Sequence, residues 1–129
     1  MFRNPQVNLY VDDVETSVAF YRDIFGFGET FRTPATGEPI HVELRLDGFV
    51  LGLASKESAR KMHGIDVCLG RPKAEIVLWT DGVDDRVSAL ANMGVRILSP
   101  PHDFVGTLHA AWIADPDGNP IQLVENKTI

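Results

Sequence analysis

Few side chains in this sequence are of types that perform chemistry, and their spacing narrows the options further. Cys68 is the sole cysteine. A thiol becomes a nucleophile beside a base that draws off its proton, and the loop-like stretch around Cys68 supplies none, so it reads as structurally neutral. One cysteine also excludes an intrachain disulfide, in keeping with a reducing compartment. The four histidines are scattered: His41 and His109 fall on strand-like stretches, His63 in a polar linker, and His102 just after Pro100-Pro101. His41, Glu43 and Arg45 alternate and so share one face of a strand. That face either meets a polar ligand or is the wet side of a sheet, and the solvated reading is the expectation. Glu75 opens an apolar run, where a carboxylate either faces a cavity or is simply solvated. Trp79 and Trp112 carry large rings with a polar edge, suited to stacking on planar molecules or to filling a core.

Composition removes some partners. The 129 residues include 12 Lys and Arg against 18 Asp and Glu, a formal charge of −6, and no basic run exceeds the pair Arg60-Lys61. A phosphate backbone is held by clustered cations, so nucleic acid is not an expected partner. At 44% hydrophobic and 23% charged, the chain has the makeup of a folded domain. No apolar core of a signal peptide follows Met1, and no stretch approaches the roughly 20 apolar residues of a membrane span, so a cytoplasmic protein is expected.

The elements that must position these side chains come as a repeat. Residues 6–14 alternate apolar Val7, Leu9 and Val11 and then run into a polar helix start, and residues 75–83 repeat the plan. Laying Gln6 on Glu75 also lays Val14 on Val83, Val18 on Val87 and Tyr21 on Leu90. In the first helix Asp12 or Asp13 is the expected cap, Val14, Val18, Tyr21 and Phe25 the buried stripe, and Gly26 the stop. In the second, Asp81 is the cap, Val83, Val87 and Leu90 the stripe, and Gly94 the stop. Asp47-Gly48 and Asp117-Gly118 each lie between apolar runs, a hairpin signal. The runs are 41–46 and 49–54, then 109–114 and 120–124, with further short strands expected at 29–32 and 95–98 and a loop at 99–108. Each half therefore reads βαβββ: module 1 over 4–54, a linker over 55–73, and module 2 over 74–126.

The run Val-Asp-Asp-Val-Glu-Thr-Ser-Val-Ala-Phe-Tyr-Arg-Asp-Ile-Phe-Gly-Phe at 11–27, with Ala-Asp-Pro-Asp-Gly-Asn-Pro-Ile-Gln-Leu-Val-Glu at 114–125, resembles the vicinal oxygen chelate superfamily. That superfamily includes glyoxalase I, bleomycin resistance proteins and extradiol dioxygenases, and the resemblance covers nearly the whole chain. It implies an α+β fold: two tandem βαβββ modules form a curved, half-open mixed sheet around a cavity, with helices on the outer face. It also implies a homodimer. On that fold the alternation turns Val7, Leu9 and Val11 to the helix and Gln6, Asn8 and Tyr10 to the cavity, with Glu75, Val77 and Trp79 as the matching set. Gly52 and Gln122 hold equivalent places on the last strand of each module.

Metal-dependent relatives such as glyoxalase I place their ligands at the positions of Gln6, Gly52, Glu75 and Gln122. Here Gly52 offers no donor, and Gln122 is a neutral amide where a carboxylate is usual. Gln6, Glu75 and Gln122 give one anion and two amide oxygens, which leaves most of a dication's charge uncompensated, so no conventional metal site is expected. Buried without a metal, Glu75 would be the candidate base. Trp79, Trp112 and Phe104 would line the cavity, as in relatives that sequester a drug between aromatic side chains. Two readings of function follow. The first is a binding protein for a small organic molecule, aromatic or antibiotic-like. The alternative is a glyoxalase-, isomerase- or dioxygenase-type enzyme with a divalent ion on Gln6, Glu75 and Gln122.

Overall fold

The computed structural model describes residues 1, 3–68 and 71–127. The chain runs β1 (Val7–Val11), α1 (Val14–Phe25), β2 (Gly28–Thr33), β3 (His41–Leu46), β4 (Phe49–Ser55), α2 (Lys56–His63), β5 (Ile76–Trp79), α3 (Val83–Asn92), β6 (Ile97–Phe104), β7 (Leu108–Ala114) and β8 (Pro120–Asn126). With α2 set aside, this is the βαβββ unit used twice, in the α+β class. The chain divides into two compact units, Met1–Leu69 and Gly70–Ile129. Each holds one four-stranded mixed sheet, in the order β1-β4-β3-β2 and β5-β8-β7-β6. The duplication extends to the ladder: β1 lies parallel to β4 with Asn8 opposite Gly52, and β5 parallel to β8 with Val77 opposite Gln122.

In the first unit Asp13 is the residue that caps α1, its carboxylate accepting from the Thr16 N–H at 3.3 Å. Val14, Val18 and Tyr21 are buried, and Gly26 ends the helix in the left-handed region at φ 83°, where a side chain would be strained. Tyr21 stands edge-on to Phe20 and Phe27, with centroids 5.2 and 5.7 Å away. Val42, Leu44, Leu51 and Leu53 complete this core. Arg32 on β2 reaches both Glu15 on α1 and Glu29 at 2.8 Å, and its guanidinium holds both carboxyls below their ordinary range. Asp47 and Gly48 both have positive φ, as the two-residue turn between β3 and β4 requires.

The second unit departs from expectation at two places. Asp81 does not cap α3: Gly82, in the left-handed region, is the N-cap, and no side chain of its own serves the first turn. Glu125 on β8 does so instead, accepting from the Gly82 and Val83 N–H groups at 3.2 and 3.1 Å. Residues 99–104, expected as a loop, continue β6 through Pro100-Pro101. The ladder shifts register on both sides of Ser99, where the prolines have no N–H to donate, a fault tolerated on an edge strand. The second Asp-Gly pair sits in a five-residue loop organised by buried Asp115, whose carboxylate accepts from the Asp117 and Asn119 N–H groups.

The stretch expected as a linker contains α2. Ser55 caps it by accepting from the Ser58 N–H at 3.1 Å, and Gly64 closes it at φ 68°. Among the described residues no helix is long and apolar enough to cross a membrane.

Candidate functional site

In the first sheet α1 covers one face, and polar side chains gather on the other. Cross-strand register sets Asn8 beside Gly52 and Gly52 beside Glu43. Gln6 leans over this row from just before β1, its Nε2 donating to Asn8 Oδ1 at 2.8 Å and to Glu43 Oε2 at 3.3 Å. His41 Nε2 lies 3.2 Å from the same Glu43 oxygen. Gly52 makes the convergence possible. A Cβ there would come within 2.0 Å of Asn8 Oδ1 and 2.9 Å of His41 Cε1, so the space of a side chain at 52 is already filled. Tyr10, half-buried, shares this face opposite Ala54. His41 and Glu43, expected on the wet side of the sheet, are half-buried in the network, whereas Arg45 is exposed. Sequence spacing put His41 and Glu43 on one face. The two-residue Asp47-Gly48 turn fixes the β3–β4 register that sets Glu43 against Gly52.

The second sheet presents an aromatic face on the side away from α3. Trp112, whose side of the sheet was open from sequence, stands opposite Gln122 in the ladder, and its indole N–H donates to Glu75 Oε1 at 3.1 Å. The His102 ring stacks on the indole, with centroids 5.7 Å apart and planes 24° apart, and the Phe104 ring lies 6.0 Å from it. Two residues along each of β5, β8 and β7, and so on the same face, register lines up Trp79, Val124, Ala110 and His102 across the four strands. Ala110 and Val124 are buried, while Trp79 is 66% exposed. The row therefore sets the covered pair Ala110 and Val124 between an outer tryptophan and the Trp112–His102–Phe104 group. Glu75 is exposed, so the burial that would have suited it to act as a base is not met in the chain.

His109 belongs to the opposite face. It is buried, with Nε2 2.9 Å from Asp84 of α3 and Nδ1 2.6 Å from Asp103 of β6. Hydrogen bonds to these carboxylates favour the protonated imidazole and raise the His109 pKa above its ordinary value, and His109 in turn lowers that of Asp103. This cluster joins three elements distant in sequence, and no local spacing announced it. His63 is exposed in the last turn of α2, and Cys68 is exposed beyond it. A cleft of about 180 Å³ in the first unit, lined by Asp12, Glu38, Ser55, Glu57 and Lys61 among others, involves none of the expected site residues.

The chain belongs to the Glyoxalase/Bleomycin resistance protein/Dioxygenase superfamily, whose family model matches residues 3–123. Solved structures of the same fold include TioX from Micromonospora sp. ML1, at 20% identity over 96% of this chain and 99% of that one, with a TM-score of 0.75. A glyoxalase-related enzyme from Fulvimarina pelagi matches at 22% identity over 97% of this chain and 89% of its own, with a TM-score of 0.78. Lactoylglutathione lyase from Agrobacterium tumefaciens matches at 21% identity, over 96% and 94% of the two chains, with a TM-score of 0.70. At these identities the likeness concerns fold. No curated protein matches the chain.

Metals serve many members of this superfamily, and the residues here do not make up the ligand set of its metal-dependent members. Gly52 has no donor and its space is taken, Gln122 is a neutral amide, and Glu75 is engaged by Trp112. Among the described residues, no group of three or more His, Cys, Asp and Glu side chains is placed to hold an ion.

Proposed function

We propose that the protein binds a small planar organic molecule, aromatic or antibiotic-like, on the open face of the second sheet, without a metal at the four family positions. The observation that carries this reading is the Trp112 indole, fixed by Glu75 and flanked by His102 and Phe104. Rings held by neighbours lose little freedom when a flat ligand stacks on them, so their area converts efficiently into affinity. Glu75 acts here as an orienting acceptor for the indole, Gln122 as an amide beside it, and Trp79 as the far wall. The polar group of Gln6, Asn8, Tyr10 and Gly52 is a second contact surface, in the first module. A cytoplasmic homodimer is part of the proposal; its association is supported by the edge strands β1 and β5 and by the exposed Val7 and Val77 that they carry.

Isothermal titration with bicyclic and tricyclic heteroaromatic compounds tests the reading. Saturable binding is expected, weakened about 10-fold or more by Trp112→Ala, the scale of one aromatic stack. Equal affinity in wild type and Trp112→Ala would overturn it. Light scattering on the same samples gives the oligomeric state, and a monomer at all concentrations would remove the dimer from the proposal.

A further inference from the structure

We infer that His109 is a positioning residue for the aromatic face: bridging Asp84 and Asp103, it pins the outer end of β6 so that His102 and Phe104 stay against Trp112, and it does so fully only as an imidazolium. Its effect on affinity rests on the proposed aromatic site, whereas its geometry rests on the His109 cluster alone.

Beyond Pro100-Pro101 and the register shift, β6 rejoins β7 through the pairs His102 with Ala110, Asp103 with His109 and Phe104 with Leu108. Alternation along this edge strand sends His102 and Phe104 to the open face, where both rings lie against Trp112. Asp103, between them, turns to the other face and meets His109 Nδ1 at 2.6 Å. Nε2 of the same ring lies 2.9 Å from Asp84, in the first turn of α3. One imidazole thus ties the edge strand to the helix, and the residue it holds is the chain neighbour of both rings.

The hold depends on a proton. A carboxylate accepts and does not donate, so two carboxylates on one ring require two ring N–H groups, which the imidazolium has and the neutral imidazole lacks. In the neutral ring Asp84 and Asp103 compete for a single N–H, and the bare nitrogen faces an anion. Asp103 is then held for part of the time, and the end of β6 loosens with it. Asp84 and Asp103 touch the ring, while Glu125 stands across the ladder with its carboxylate turned to the α3 amides. Lys127, 3.8 Å from Asp103, opposes the proton, as does burial of the ring. The two hydrogen bonds prevail and keep the His109 pKa above its ordinary value.

The first measurement needs no ligand. In the full-length protein, the nuclear Overhauser effect between the Phe104 ring and the Trp112 indole is followed from about pH 6 to 9. In wild type it is expected to weaken as pH rises through the raised His109 value. In Asp84→Asn it is expected to stay strong, because the new amide donates to Nε2 and leaves the neutral ring's N–H for Asp103. Titration with phenazine, which stays uncharged over this range, is expected to follow: the loss of affinity is about 5-fold greater in wild type than in Asp84→Asn, the scale of one hydrogen bond. A direct effect of His102 titration is common to both proteins and cancels in the comparison. A pH-independent contact in wild type, or the same decline in Asp84→Asn, overturns the inference, and the wild-type profile stands whether or not the variant folds. Phenazine binding with one pH profile in both proteins overturns it while the aromatic site stands. Absence of phenazine binding, with the contact profiles as expected, counts against the aromatic site and supports the role of His109.

Discussion

The two modules share a chain path and differ in how they secure it. In the first, the helix start is satisfied locally by Asp13, and the helix is anchored by Tyr21, fully buried among Phe20 and Phe27. In the second, the equivalent start is satisfied from a distance by Glu125, and Leu90 stands at the place of Tyr21. The open faces diverge as well: amides, imidazole and carboxylate over a glycine in one, stacked rings in the other. A duplicated backbone keeps its hydrogen-bond ladder because the ladder is made by the main chain, while the side chains on the uncovered face are free to change chemistry.

The largest test of this contrast is the helix anchor. Tyr21→Ala removes a fully buried ring and is expected to cost about 3–5 kcal/mol, against about 2–4 kcal/mol for Leu90→Ala. Urea unfolding curves measure both, and a larger loss at Leu90 would break the claim that α1 is the more deeply anchored helix.

Caps come next in size. Glu125→Ala deprives two backbone donors of their acceptor and is expected to cost about 1–2 kcal/mol. Asp13→Ala, which frees one donor, should cost about 1 kcal/mol. Thermal unfolding of the two variants beside wild type resolves the order.

The smallest effect is one of pH. Because the carboxylates of Asp84 and Asp103 raise the folded pKa of His109 above its unfolded value near 6.5, folding favours the protonated ring. Its contribution is complete below about pH 6.5 and is lost as pH rises through the raised folded value. Wild type should therefore lose urea resistance across that interval, and His109→Gln should not. An equal slope in the two proteins would remove the charge from this cluster.

These contrasts were unevenly legible in the sequence. Val7, Leu9 and Val11, and the stripe Val14, Val18 and Tyr21, follow from periodicity alone, as does the shared face of Gln6, Asn8 and Tyr10. Helix α2 was missed because Ala59 is its one buried position, so no apolar stripe marks it, although Ser55 and Gly64 were readable as caps. The second half of strand β6 was hidden by Pro100-Pro101, which break an internal strand but not an edge one. The Glu125 cap and the His109 cluster depend on tertiary register, and local pattern carries no information about it.

The paired prolines of β6 have a further effect. Adjacent residues turn their N–H positions to opposite sides, so one of the two prolines removes an amide that an incoming strand would need, and the second sheet resists being lengthened from that margin. Strand β5, at the other margin, carries no proline and remains able to accept a neighbour. Growth of this sheet by strand addition is thereby given a direction, which guards against open-ended stacking while leaving one border available for a defined partner.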